Sequence, residues 1–190
     1  DEVAGLLDAL QIERAHFVGL SMGGMIGQSL GLRHPQRLLS LTLADTSSRQ
    51  PVAAEKVWAD RIAQARAQGM QVLEESTLAR WFTESYRNAQ PAVMQRIGAM
   101  IRATPVEGYA NCGFAISRIN FTDQLNAIRC PVLIIVGEDD PGTPVAMSRE
   151  IQAAIPGSEL TILPRAAHLS NIEQAEAFNS ALLTFLRSAN

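Results

Sequence analysis

At 190 residues, 47% hydrophobic and 18% charged, the chain suits a single domain with a well-filled core and room for an inserted subdomain. Its 16 basic and 19 acidic side chains leave a net charge of −3, which excludes the basic face of a nucleic-acid binder and a polybasic membrane patch. No apolar run approaches the ~20 residues of a membrane span, "DEVAGLLDAL" lacks the form of a signal peptide, and Cys112 and Cys130 fit no metal or disulfide spacing. A cytoplasmic protein with two buried free thiols is the expectation.

In chain order, Val3, Leu6, Leu7 and Leu10 recur at helical spacing, so the chain opens with an amphipathic helix over residues 1–12. Ala15 to Leu20 reads as a short buried strand. A helix follows from Met22, with Met25, Ile26, Ser29 and Leu30 on one face and Gly23, Gly24, Gly27 and Gly31 allowing close packing, and Pro35 stops it. Leu38 to Asp45 reads as a second strand. Residues 52–119 change character: 52–69, 70–87 and 91–104 each read as a helix, and a shorter one runs through Tyr109 to Ile119. Strand–helix alternation then resumes with "CPVLIIVGEDD", a helix with Pro144 in its first turn and Gly157 past its end, the strand "ELTILPRAAH" and a closing helix over 171–190. Phe178, Ala181, Leu182, Phe185 and Leu186 share one face of that last helix. Such alternation implies about four parallel strands flanked by helices. The core is then 1–51 with 120–190, interrupted by a helical block at 52–119.

Gly19-Leu20-Ser21-Met22-Gly23 fits G-x-S-x-G between a strand and a helix. The sharp turn lifts the Ser21 hydroxyl clear of the sheet, and glycines two residues before and after keep side chains out of the crossing. The Met22 N–H lies at a helix N-terminus, where a developing oxyanion is stabilised. A nucleophilic serine needs a base, and the base needs an orienting acid. His16 begins the first strand and His34 ends the following helix, both away from the Ser21 turn. His168 follows the fourth strand, at the carboxyl edge where sites of parallel sheets collect. Glu138, Asp139 and Asp140 follow the third strand, and Asp45 ends the second. Asp140 is the preferred acid, with Asp139 and Asp45 as alternatives.

The segments "DEVAGLLDALQIERAHFVGLSMGGMIGQ", "LADTSS", "TPVEGYANCGFAI", "GEDDPGTPVAMS" and "RAAHLSNIEQAEAF" together resemble the 3-oxoadipate enol-lactonase group of α/β-hydrolase-fold proteins. The resemblance covers nearly the whole chain. The elbow and histidine motifs belong to the whole superfamily, whereas "VEGYANCGFAI" and "GEDDPGTP" look closer to the lactonases and their cofactor-free haloperoxidase and esterase relatives. It implies Ser21 as nucleophile, His168 as base and Asp140, three residues after Gly137, as acid. It also implies that 52–119 is a cap over the pocket, with Trp81 and Leu20 as substrate contacts. Arg80, Arg87 and Arg102 are candidates to pair with a substrate carboxylate. The implied reaction is hydrolysis of a small ester or lactone without metal or organic cofactor.

The resemblance also implies an earlier part of the fold, absent from this sequence, that carries the first strands and a His-Gly loop donating a second oxyanion N–H. A partner chain, the cap or the Ser47-Ser48 loop are substitutes. The strand before Ser21 is then expected at a sheet edge, where unpaired backbone groups invite another chain, so a homo-oligomer is expected. A fragment of a longer protein, an unstable truncation, a non-catalytic binding module and a perhydrolase using the same triad remain alternatives.

Overall fold

The computed structural model describes residues 1–189. Four strands, β1 (Ala15–Leu20), β2 (Leu38–Ala44), β3 (Val132–Gly137) and β4 (Glu159–Leu163), form one parallel sheet in the order β1-β2-β3-β4. Gly19 stands opposite Leu43, Leu43 opposite Ile134 and Ile134 opposite Leu160, so the four carboxyl ends share one edge. β2 and β3 are covered on both faces; β3 reads as an aliphatic run, as buried parallel strands do, whereas β2 sets buried Ser40 and Thr42 among its leucines.

Period-two alternation sorts their side chains between two cores. Leu41, Leu43, Val132 and Ile134 pack with Leu30 of helix α2 (Met22–Arg33) and Ile151 of α8 (Val145–Ala154). Ala44, Leu133, Ile135 and Leu163 pack with Phe178 and Phe185 of α10 (Ala175–Ser188). Truncating a buried phenylalanine of this kind to alanine costs about 3–5 kcal/mol. A short helix, α9 (Ser170–Glu173), precedes α10, so the expected closing helix is broken at Gln174, whose φ of −124 leaves the helical region.

Two helical faces differ from expectation. In α1 (Glu2–Ala9) the buried residues are Ala4 and Leu7, while Leu6 and Leu10 are each 58% exposed. In α2 the inward stripe is Gly24, Met25, Gly27, Gln28, Leu30 and Gly31, and Ile26 faces outward. The close packing expected of the glycines is seen at Gly24, Gly27 and Gly31, which approach Thr46, Leu41 and Ile128, whereas Gly23 faces open space.

By internal contacts the chain divides into two compact units, 1–48 with 120–190, and 49–119. The division falls just before the expected 51/52 boundary. The second unit contains α3 (Ala54–Gln68), α4 (Glu74–Trp81), α5 (Glu84–Ala89), α6 (Pro91–Ala103) and α7 (Val106–Ser117). Its core includes Ile62, Leu73, Phe82, Ile97 and Ala110. The single helix expected over 70–87 is instead a 3-10 turn at Met70–Leu73 followed by α4 and α5. Phe82 is extended and 1% exposed, and the Thr83 hydroxyl caps α5 by accepting the Tyr86 N–H. Burying one aromatic ring and capping a new helix outweighs the continuous helical propensity of the segment.

No helix among the described residues is long and apolar enough to cross a membrane. Cys112 and Cys130 are free, but both are half-buried rather than buried as expected.

Candidate active site

Ser21 stands between the last residue of β1 and the first of α2, at φ 53 and ψ −115. A non-glycine residue with positive φ costs of order 1–3 kcal/mol and persists only where its surroundings over-determine it. Here the Ser21 N–H donates to the Ala44 carbonyl of β2 (2.8 Å). The Ser21 carbonyl accepts from Thr46 Oγ1 (2.7 Å) and from the Gly24 N–H (2.9 Å). The two glycines of the motif act differently from the symmetrical role expected of them. A Cβ on Gly19 would strike the Gly23 carbonyl, whereas a Cβ on Gly23 would meet open space. Gly19 is therefore the position that must lack a side chain. Met22 opens α2, and the first N–H groups of a helix have no intrahelical partner.

His168 lies in the loop between β4 and α9 and is 8% exposed. Its Nε2 is 2.8 Å from Ser21 Oγ, and its Nδ1 is 2.8 Å from Asp140 Oδ2. An ionised carboxylate only accepts, so Nδ1 carries the proton and Nε2 accepts from the Ser21 hydroxyl. Asp140 is 3% exposed, in the turn after β3. Its Oδ1 accepts the Gly142 and Thr143 N–H groups (2.7 and 3.1 Å), and its Oδ2 also accepts from Thr143 Oγ1 (2.6 Å). Burial pushes this carboxyl up, but the His168 hydrogen bond and charge and the two Thr143 donors outweigh it and hold Asp140 below the usual carboxylate range.

Asp139 and Glu138 are exposed, and neither is bonded to His168; the Asp139 N–H donates to the Ala166 carbonyl. Asp45 is fully buried but bonds Gly137 and Ser170 rather than His168. Its carboxyl is raised to about 7, chiefly by burial. His16 bonds Ser40 Oγ at the amino end of β1, and His34 bonds Asp1. The Thr143 hydroxyl was not singled out from the sequence. Its signal is the Asp-Pro-Gly-Thr turn, in which an aspartate accepts from backbone groups two and three residues on.

Leu20 packs against the core that contains Ala44 and Leu133, and Trp81 ends α4 half-buried. Of the three arginines, Arg102 is paired with Glu74, and Arg87 Nε is buried without a hydrogen-bond partner. Ser48 Oγ bonds Thr122, and the Ser47 carbonyl accepts from Gln28. No cluster of three or more His, Cys, Asp or Glu residues placed to hold a metal is found among the described residues.

A strand–turn–helix serine, a histidine after the last strand and a carboxylate between them in sequence make one hydrogen-bonded chain at one sheet edge. The model of the family described as alpha/beta hydrolase fold matches residues 1–175. This chain belongs to that family. It is 34% identical over 189 residues to a 3-oxoadipate enol-lactonase of Acinetobacter baylyi, covering 100% of this chain and 70% of that protein. The crystal structure of the enol-lactonase from Burkholderia xenovorans is 39% identical with a TM-score of 0.93, covering 98% of this chain and 70% of that one. A thermophilic esterase from Thermogutta terrifontis is 31% identical with a TM-score of 0.93, covering 100% and 71%. Against this α/β-hydrolase background the four strands are the shared framework of the fold, and Ser21, His168 and Asp140 are the side chains it gathers.

Proposed function

We propose that the protein is a serine hydrolase that cleaves a small carboxylic ester or lactone through an acyl-enzyme on Ser21. The observation that carries this reading is the continuous chain Ser21 Oγ, His168 Nε2, His168 Nδ1, Asp140 Oδ2, with 2.8 Å at both links. Ser21 Oγ attacks the carbonyl carbon as His168 Nε2 takes its proton. Asp140 holds the imidazole in the productive tautomer and stabilises the imidazolium. The tetrahedral oxyanion binds at the Met22 N–H. Collapse breaks the ester C–O bond, and the Nε2 proton passes to the leaving oxygen. Water deprotonated by His168 then attacks the acyl-enzyme and returns Ser21.

Enol-lactonases and an esterase among the relatives support the ester or lactone class. The Met22 N–H lies at the positive end of the α2 dipole, and loss of one such donor typically costs ~10² to 10³ in turnover. The test is hydrolysis of short-chain p-nitrophenyl esters, with Ser21→Ala as control and a fluorophosphonate probe for an activated serine. Turnover abolished by Ser21→Ala, together with labelling of Ser21, is expected. Undiminished turnover in that variant would overturn the reading. Unlabelled Ser21 in folded protein favours a non-catalytic module.

We further propose a cytoplasmic homo-oligomer formed through β1. Val18 is 44% exposed on this strand, and among the described residues β1 ends the sheet with β2 as its one neighbour. The free thiols suit a reducing compartment. A strictly monomeric mass by light scattering at micromolar concentration would refute the assembly.

A further inference from the structure

Asp45 is fully buried at the carboxyl end of β2, yet the mechanism above does not use it. Its φ of 44 turns the chain sharply after the strand, in a region that aspartate and asparagine tolerate better than most residues. The turn aims its carboxyl group across the end of the sheet. Oδ1 accepts the Gly137 N–H at 2.8 Å, and Oδ2 accepts the Ser170 hydroxyl at 2.5 Å. These partners flank the site in sequence. Gly137 is the last residue of β3, three before Asp140, and Ser170 begins α9, two after His168.

The same two segments also touch directly. A Cβ on Gly137 would strike the Ala166 and Ala167 carbonyls, and the Asp139 N–H donates to the Ala166 carbonyl at 2.9 Å. The turn carrying Asp140 and the loop carrying His168 are thus brought together by backbone, and one side chain from a third segment bridges them. We propose that Asp45 is a positioning residue: its carboxyl group fixes the β3 end against the start of α9 and so sets the reach between Asp140 and His168. The proposal rests on the hydrolase reading of Ser21, His168 and Asp140.

Physical chemistry separates this role from one of charge. Asparagine keeps both tethers, because its carbonyl accepts the Gly137 N–H and its amide donates to Ser170 Oγ. Alanine keeps neither. A misplacement of about 1 Å in a reacting group costs as much as ~10²-fold in rate.

The experiment compares kcat and KM of wild type, Ser21→Ala, Asp45→Ala, Asp45→Asn and Ser170→Ala on a short-chain p-nitrophenyl ester, with circular dichroism of each. Asp45→Ala is expected to lower kcat by roughly 10²-fold with little change in KM. Asp45→Asn is expected to restore kcat to within about fivefold of wild type, and Ser170→Ala, which removes one tether, to fall between them. Wild-type kcat in folded Asp45→Ala and Ser170→Ala, with Ser21→Ala inactive, would overturn the positioning role alone. Equal loss in Asp45→Ala and folded Asp45→Asn would overturn it too, in favour of charge. If Asp45→Ala does not fold, Ser170→Ala decides, and an unchanged kcat there sinks the proposal. Persistent turnover in Ser21→Ala would instead overturn the hydrolase reading beneath it.

Discussion

The carboxyl ends of the adjacent strands β2 and β3 each present a buried aspartate, and the two behave oppositely. Asp45 is 0% and Asp140 3% exposed, so burial pushes both upward. Asp45 meets two neutral donors and is raised to about 7. Asp140 meets the His168 imidazole, the Thr143 hydroxyl and two backbone N–H groups, and is lowered. Depth does not decide whether a buried carboxyl stays ionised; the number and charge of its donors do. At one sheet edge the fold thus holds a carboxylate stabilised for charge beside a carboxyl that charges reluctantly.

The strongest way to break the comparison is Asp140→Asn. The amide no longer fixes the His168 tautomer, and kcat on a short-chain ester is expected to fall by roughly 10³ to 10⁴. Asp45→Asn is expected to keep kcat within about fivefold of wild type, so similar losses in the two variants would erase the distinction.

The second test is stability against pH. Asp45 has a higher proton affinity folded, about 7, than its ordinary 3.8. Below pH about 4 both states hold the proton. As pH rises from there to about 7 only the folded state keeps it, so the group's stabilising contribution shrinks and is gone above that range. Each unit of separation corresponds to about 1.4 kcal/mol, so Asp45→Asn is expected to be more stable than wild type at pH 8 by up to about 4 kcal/mol relative to the same comparison at pH 4. Asp140 has the opposite sign: its contribution is present above its ordinary range and lost in acid as pH falls through its lowered folded value. Urea unfolding at several pH values measures both, and a pH-independent difference between wild type and Asp45→Asn would contradict the assignment.

The smallest expected effect comes from Thr143→Val, which removes one donor from Asp140 and makes its surroundings more like those of Asp45. A loss of roughly tenfold or less in kcat is expected, and the acid pH at which the Asp140 contribution to stability is lost moves upward. An unmoved acid end of the urea-stability profile would show that the Thr143 hydroxyl contributes nothing to keeping Asp140 ionised.

Ser21 was readable from sequence because its surroundings are local: a strand, two glycines and a helix within a dozen residues. His168 and Asp140 follow from the rule that parallel strands end on one edge, and their mutual distances then come from the register of β3 and β4. The bonds of Asp45 were not readable. They join residues 92 and 125 positions away, and an aspartate ending a strand has the same appearance whether it orients a histidine or ties two segments. The break at Phe82 and the outward turn of Ile26 escaped for a related reason, since both depend on what lies opposite.

The Ser21–His168 hydrogen bond spans 147 positions of the chain. Closing so long a loop costs about 2 kcal/mol more in chain entropy than closing one of roughly ten residues, and contacts of this separation are characteristic of slow folding. The two side chains meet only after β2, β3 and β4 have been laid down in register between them. On the proposed reading, the reactivity of Ser21 is therefore also a clock for folding, because it requires the first and last strands of the sheet to have found their places.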